Sequence, residues 1–144
     1  MITYHRDENI SFEEYHDFLK RTDLGSQYPK ERFKERVTKT LKNHSLSISA
    51  RDDNGTLIGV AFGLTDFAYF LFLTDLGIDR EHTKKGIGTE LTNRIHEAAG
   101  GFADISMVTV SNDEAFGFYE SSGFESDNCL FWKACTEWTS HKVE

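Results

Sequence analysis

The segment from Ala68 to Ile78 is strongly apolar. It runs through a short basic loop into Gly86-Ile87-Gly88, after which the apolar residues fall at helical spacing: Ile87, Leu91, Ile95 and Ala98. A change from an extended apolar run to a 3.6-residue period across two glycines places a strand end, a tight turn and a helix N-terminus at one point. Free backbone N–H groups converge there, and the helix dipole favours negative charge. Gly86 and Gly88 remove side chains that would hold a ligand off, and Lys84 and Lys85 add positive charge. The stretch Thr83-Lys84-Lys85-Gly86-Ile87-Gly88-Thr89 therefore reads as a diphosphate cradle. It is not a Walker A loop, because no G-x-x-x-x-G-K-S/T run is present. It also lacks the third glycine and the early β-α-β unit of the dinucleotide fingerprint.

The rest of the chain sets the frame around this turn. Ile2 and Tyr4 alternate with polar residues as a short first strand. Ser11 and Glu14 form a capping box ahead of the helical face Phe12, Tyr15, Phe18 and Leu19. Pro29 suits the first turn of a second helix carrying Phe33, Val37 and Leu41. The period then drops to two. Leu46, Ile48 and Ala50 alternate with serines, Asp52-Asp53-Asn54-Gly55 makes a hairpin turn, and Ile58, Val60, Phe62 and Leu64 return. A turn near Thr65-Asp66 leads into the long central strand. Ile105 to Val110 reads as a buried strand. Ser111 and Glu114 read as a second capping box, opening a helix to about Ser122, and Leu130 to Ala134 reads as a last strand. The order β-α-α-β-β-β-α-β-α-β is mixed α/β, with a sheet that starts antiparallel and gains a parallel pair.

At 144 residues the chain fits one domain, 1–144, large enough to bury a core without staples. With 12 Phe, 5 Tyr and 2 Trp it is not the low-hydrophobicity type that stays disordered. Sixteen basic against 24 acidic residues give a net charge of −8. That field disfavours nonspecific binding to nucleic acid or anionic membrane. Cys129 and Cys135 have no metal-ligand spacing around them and read as free thiols in a reducing cytoplasm. No apolar run approaches a membrane span and no signal-peptide core is seen at the N-terminus.

A second segment, Asn112-Asp113-Glu114-Ala115-Phe116-Gly117-Phe118-Tyr119-Glu120-Ser121-Ser122-Gly123-Phe124, gives the glycine turn a context. Here the chain resembles the GNAT superfamily. That family follows a Q/R-x-x-G-x-G/A turn with a helix, a strand and an N-x-x-A-x-x-F/L-Y-x-x-x-G-F helix. Gly86 and Gly88, then Asn112, Ala115, Phe118, Tyr119, Gly123 and Phe124, stand in register. The resemblance covers nearly the whole chain. It implies a GNAT fold: a mixed, mostly antiparallel sheet of six to seven strands, about four helices and a splayed parallel strand pair. It also implies an acetyl-CoA-dependent N-acetyltransferase, without metal, acting on a small-molecule or peptide amine, with a homodimer left open. Thr83 departs from the pattern, which has Arg or Gln there. The backbone donors and the lysines remain, so binding is expected to survive and affinity is the quantity at issue.

The resemblance also implies roles. Backbone groups of Leu76, Gly77 and Ile78 would pair with the pantetheine arm, and an N–H there would polarise the thioester carbonyl. Tyr119 would protonate the leaving thiolate, where otherwise it is a packed aromatic. Asn112 would bond the pantetheine, where otherwise it caps a helix. Asp75 would take the proton of the incoming ammonium, where otherwise it is a solvated or salt-bridged aspartate. His82 is the second candidate base. The loop Thr22 to Tyr28 is expected to wall the acceptor site, with no chemistry readable from it. An acyl-CoA-binding regulatory module without catalysis is the competing function, and retention of Asp75 and Tyr119 argues against it.

Overall fold

The computed structural model describes all residues, Met1 to Glu144. Strand β1 (Thr3–Arg6) is followed by α1 (Phe12–Lys20), a 3-10 turn (Leu24–Gln27) and α2 (Phe33–Asn43). Then come β2 (Leu46–Arg51), β3 (Leu57–Thr65), β4 (Phe70–Ile78), α3 (Ile87–Ala99), β5 (Ser106–Thr109) and α4 (Phe116–Ser121). The five strands lie in sequence order, β1-β2-β3-β4-β5. The first three pairings are antiparallel and β4–β5 is parallel.

Local chemistry sets the turns. Asp52 Oδ1 accepts from the N–H groups of Asn54 and Thr56, and Gly55 supplies the positive φ of the β2–β3 hairpin. Asp66 Oδ1 accepts from the N–H groups of Ala68, Tyr69 and Phe70, which closes β3 onto β4. Those bonds hold the Asp66 carboxyl at a pKa of about 2.

The sheet is covered on both faces. On one, Ile87, Leu91 and Ile95 of α3 pack onto Leu46, Ile48, Ala50, Ala61, Leu71 and Leu73. On the other, Tyr15, Phe18 and Leu19 of α1 and Val37 of α2 pack onto Leu57, Val60 and Phe62. The expected period-two serines Ser47 and Ser49 lie on that second face. They are buried rather than solvated; Glu8, itself paired with Arg51, accepts from Ser49.

Several expectations are corrected. The sheet has five strands rather than six to seven, because Leu130 to Ala134 forms no strand. The chain beyond Gly123 does not pair with the open outer edge of β5. It returns to the α1–α2 side, where Ser140 makes an isolated antiparallel bridge with Pro29. Phe131 is left 95% exposed. The same contact explains Pro29, which does not open α2. Lys30 N–H donates to Thr139 C=O and Thr139 N–H to Glu31, which holds this stretch outside the helix. β5 is short and half covered, since nothing packs on its outer edge. The Ser111–Glu114 capping box is absent. Asn112 is the cap, its Oδ1 accepting from Ala115 N–H at 2.9 Å.

Candidate active site

Gly86 caps α3 at φ +80°, where a side chain would be strained although the space around it is open. Lys84 is also left-handed, and both lysines are exposed. The first bond of α3 runs from Glu90 N–H to Gly86 C=O. The amides from Lys84 to Thr89 therefore have no acceptor within the chain. Ile87 sends its side chain into the α3-side core while its N–H stays in this row, so the turn is anchored from behind. Six unclaimed donors on an anchored turn beside two lysines suit a diphosphate. Thr83 does not contribute a side chain to that row, because its hydroxyl donates to Arg80 C=O at 3.2 Å. Gly88 has a second duty. A Cβ there would stand 3.1 Å from the ring of Phe118, so this glycine lets α4 close against the cradle.

The end of β4 leads to this turn. β4 pairs with β5 only from Phe70 to Leu73, while its pairing with β3 continues to Ile78. The two strands part beyond Leu73, and the Thr109 hydroxyl donates to Leu73 C=O at 2.9 Å at the parting point. Leu76, Gly77 and Ile78 are thus free on the β5 side, as a splayed pair requires. Tyr119 reaches the same place from α4. Its ring packs on the α3-side core and stands edge-on to Phe118 and Phe124. Burial raises its pKa, a hydrogen bond with Thr109 opposes the rise, and the charge of Asp75 adds to it. The phenol therefore keeps its proton at neutral pH.

Asp75 is neither solvated nor salt-bridged. β4 has a bulge opposite Phe62 and Gly63, and Asp75 follows it, 8% exposed. Tyr28 donates to Oδ1 at 2.6 Å and Thr74 to Oδ2 at 2.8 Å. Tyr15 in turn contacts the Tyr28 hydroxyl at 2.8 Å. Burial raises the Asp75 pKa, and the two hydroxyls and His44 pull it back. His44 stacks on Phe62 at 4.4 Å between centroids. His82 instead faces Asp79, its Nδ1 3.7 Å from Oδ1, while the other oxygen of Asp79 holds Arg21. From the sequence Tyr28 reads only as a wall of the acceptor site and Tyr15 only as part of a helical face; nothing there places Tyr28, Tyr15, Thr74 or His44 around Asp75.

The chain from residue 9 to residue 124 matches the model of the acetyltransferase (GNAT) family. The chain belongs to that family. Solved structures agree on the fold. A GNAT-family acetyltransferase from Streptococcus pneumoniae TIGR4 superposes with a TM-score of 0.70 at 19% identity, over 93% of this chain and 98% of that one. The aminoglycoside N-acetyltransferase AAC(6')-Iy in complex with CoA gives 0.67 at 16% identity, over 94% and 95%. The aminoglycoside 6'-N-acetyltransferase AAC(6')-Ih of Acinetobacter baumannii gives 0.68 at 17%, over 94% and 99%. A protein of Arthroderma benhamiae named as a probable beta-glucosidase is 34% identical over 94 residues. That match takes in 59% of this chain and only 11% of that much longer protein. No helix is long and apolar enough to cross a membrane.

Proposed function

We propose that the chain transfers the acetyl group of acetyl-CoA to a primary amine by direct attack in a ternary complex. The observation that carries the reading is the convergence on one strand end of three features. These are the row of unclaimed amides at Lys84 to Thr89, the parted strands beyond Leu73, and two proton-handling groups, Asp75 and Tyr119.

Acetyl-CoA supplies the activated thioester. The cradle amides and Lys84 and Lys85 would hold its diphosphate, and the free edge of Leu76, Gly77 and Ile78 would pair with its pantetheine arm. Asn112 spends Oδ1 on its cap, which leaves its side-chain amide N–H groups for the same arm. An N–H of the β4 edge aimed at the thioester oxygen would meet the charge that develops there during attack. Asp75, made more basic by burial, would take a proton from the ammonium, and Tyr119 would return one to the leaving sulfur.

The test is acetyl-CoA turnover, read as thiol release, over spermidine, neamine, lysine and a lysine-containing peptide. Neamine is included because AAC(6')-Iy has been solved with the bisubstrate analogue CoA-S-monomethyl-acetylneamine. Thiol release with any of these amines supports the reading. Tight acetyl-CoA binding without release would instead fit a regulatory module.

A further inference from the structure

Both carboxylate oxygens of Asp75 are already engaged, and no Lys or Arg pairs with it. Asp75 is buried and the Tyr28 hydroxyl sits on Oδ1, so a proton arriving from the Tyr28 side meets that hydroxyl before the carboxylate. Thr74 belongs to the bulge of the same strand, and its hydroxyl also lies 3.2 Å from Phe62 C=O. Tyr28 arrives from the loop between α1 and α2, on the side where the acceptor is expected, with its residue only partly buried.

The polarity of this chain of hydroxyls follows by elimination. Tyr15 is fully buried and its hydroxyl has Tyr28 as its one partner. The Asp75 carboxylate can only accept. Tyr15 therefore donates to Tyr28 and Tyr28 donates to Asp75, which leaves one lone pair on the Tyr28 oxygen. Burial, with the charge of Asp75, raises the pKa of both phenols, so neither is a resting anion.

Tyr28 is also held firmly. His141 Nδ1 contacts its carbonyl at 3.1 Å, Pro29 is bridged to Ser140, and Phe33 and Tyr15 stand edge-on to its ring. The other titratable groups facing the cluster are His44, stacked on Phe62, and Tyr119 of α4.

We propose that Tyr28 is the catalytic relay through which Asp75 takes the proton of the acceptor ammonium. This rests on the amine-acetylation reading above. One N–H bond of the ammonium breaks as an O–H bond forms on Tyr28. The original Tyr28 O–H breaks as one forms on Asp75 Oδ1. A cation and a carboxylate become a neutral amine and a neutral acid, and no electron changes owner. Asp75 returns its proton by the same path after the product leaves.

The experiment compares Tyr28→Phe and Asp75→Asn with wild type, using spermidine, neamine, lysine and a lysine-containing peptide as acceptors. Rates are read from pH 6 to pH 10 (about the pKa of a free amine), with calorimetric acetyl-CoA affinity and melting temperature alongside. The relay predicts that Tyr28→Phe loses about 10²-fold in kcat at neutral pH. It also predicts recovery toward pH 10 and unchanged acetyl-CoA affinity. A Tyr28→Phe rate within about twofold of wild type, or a loss equal at every pH, overturns the relay. A fast Asp75→Asn removes the base reading and this one together. A slow Asp75→Asn beside a fast Tyr28→Phe removes the relay alone. A wild type that turns over none of the four amines overturns both.

Discussion

Tyr28 donates its phenol hydrogen to Asp75 at 2.6 Å across 47 residues of sequence, and so joins the loop ahead of α2 to the middle of the sheet. One residue belongs to the side proposed to take the acceptor and the other to the strand that leads to the proposed cofactor turn. The two halves of the site are therefore tied by a short hydrogen bond inside the core rather than by contacts at the surface.

Asp75→Asn keeps the shape and removes the proposed base. Turnover should fall strongly at neutral pH and recover in part at high pH, where free amine is already present. Stability should move the other way. Burial raises the carboxyl pKa in the folded state, so the folded protein holds this proton more tightly than the unfolded chain. Ionising Asp75 therefore costs folding free energy, and the cost appears as pH rises from the unfolded value of about 3.9 through the raised folded one. Asp75→Asn should gain on wild type across that window and keep the gain at neutral pH. Melting curves from about pH 4 to about pH 8 check this. A variant that loses ground as pH rises would mean that the carboxylate is stabilised by its partners.

Gly86→Asp places a carboxylate among the unclaimed amides and beside Lys84 and Lys85. Nothing lies within 4 Å of the added Cβ, so the strain is confined to the positive φ. Acetyl-CoA binding should be abolished in a protein that still folds. Calorimetry showing wild-type affinity would remove the cradle.

Tyr119→Phe deletes one oxygen and keeps the ring that packs against Phe118 and Phe124. Acetyl-CoA affinity should be unchanged, and turnover should fall by about 10²–10⁴-fold. An undiminished rate would leave Tyr119 as packing.

Gly77→Ala tests how closely the 3-10 turn at Leu24 sits on β4. The new Cβ would stand 2.7 Å from Leu24 Cδ2 and 3.1 Å from its Cβ. Overpacking of this kind costs about 1–3 kcal/mol. The urea midpoint should fall with the slope unchanged. A wild-type midpoint would mean that the 3-10 turn at Leu24 yields freely.

The frame of the molecule was legible where a local rule had only one answer. The period-two run of β2, the Asp-rich hairpin and the glycine cap of α3 each follow from the residues within a few positions. The failures at Leu130 to Ala134, Pro29 and Tyr28 share one cause, which is that the deciding partner is remote. Leu130 to Ala134 has the composition of a strand, but the outer edge of β5 stays unpaired and the chain turns back toward Pro29 instead. Asn112 and Ser111 are equally good caps by type, and the geometry gives the task to Asn112. Tyr28 was legible only as part of the acceptor-side wall, because the carboxylate that it meets is brought to it only by the folded sheet. The candidate residues of β4 and the glycine turn were visible because they are neighbours in sequence as well as in space.

The parted strands have a consequence for the protein with nothing bound. From Thr74 to Ile78 one side of β4 is a sheet edge lying inside the fold. Such edges pair readily with foreign chains unless something covers them. A ligand with amides of its own would serve as a sixth strand that is not polypeptide. The empty protein should then be the more aggregation-prone form, and slowed amide exchange at these positions would report that the gap is filled.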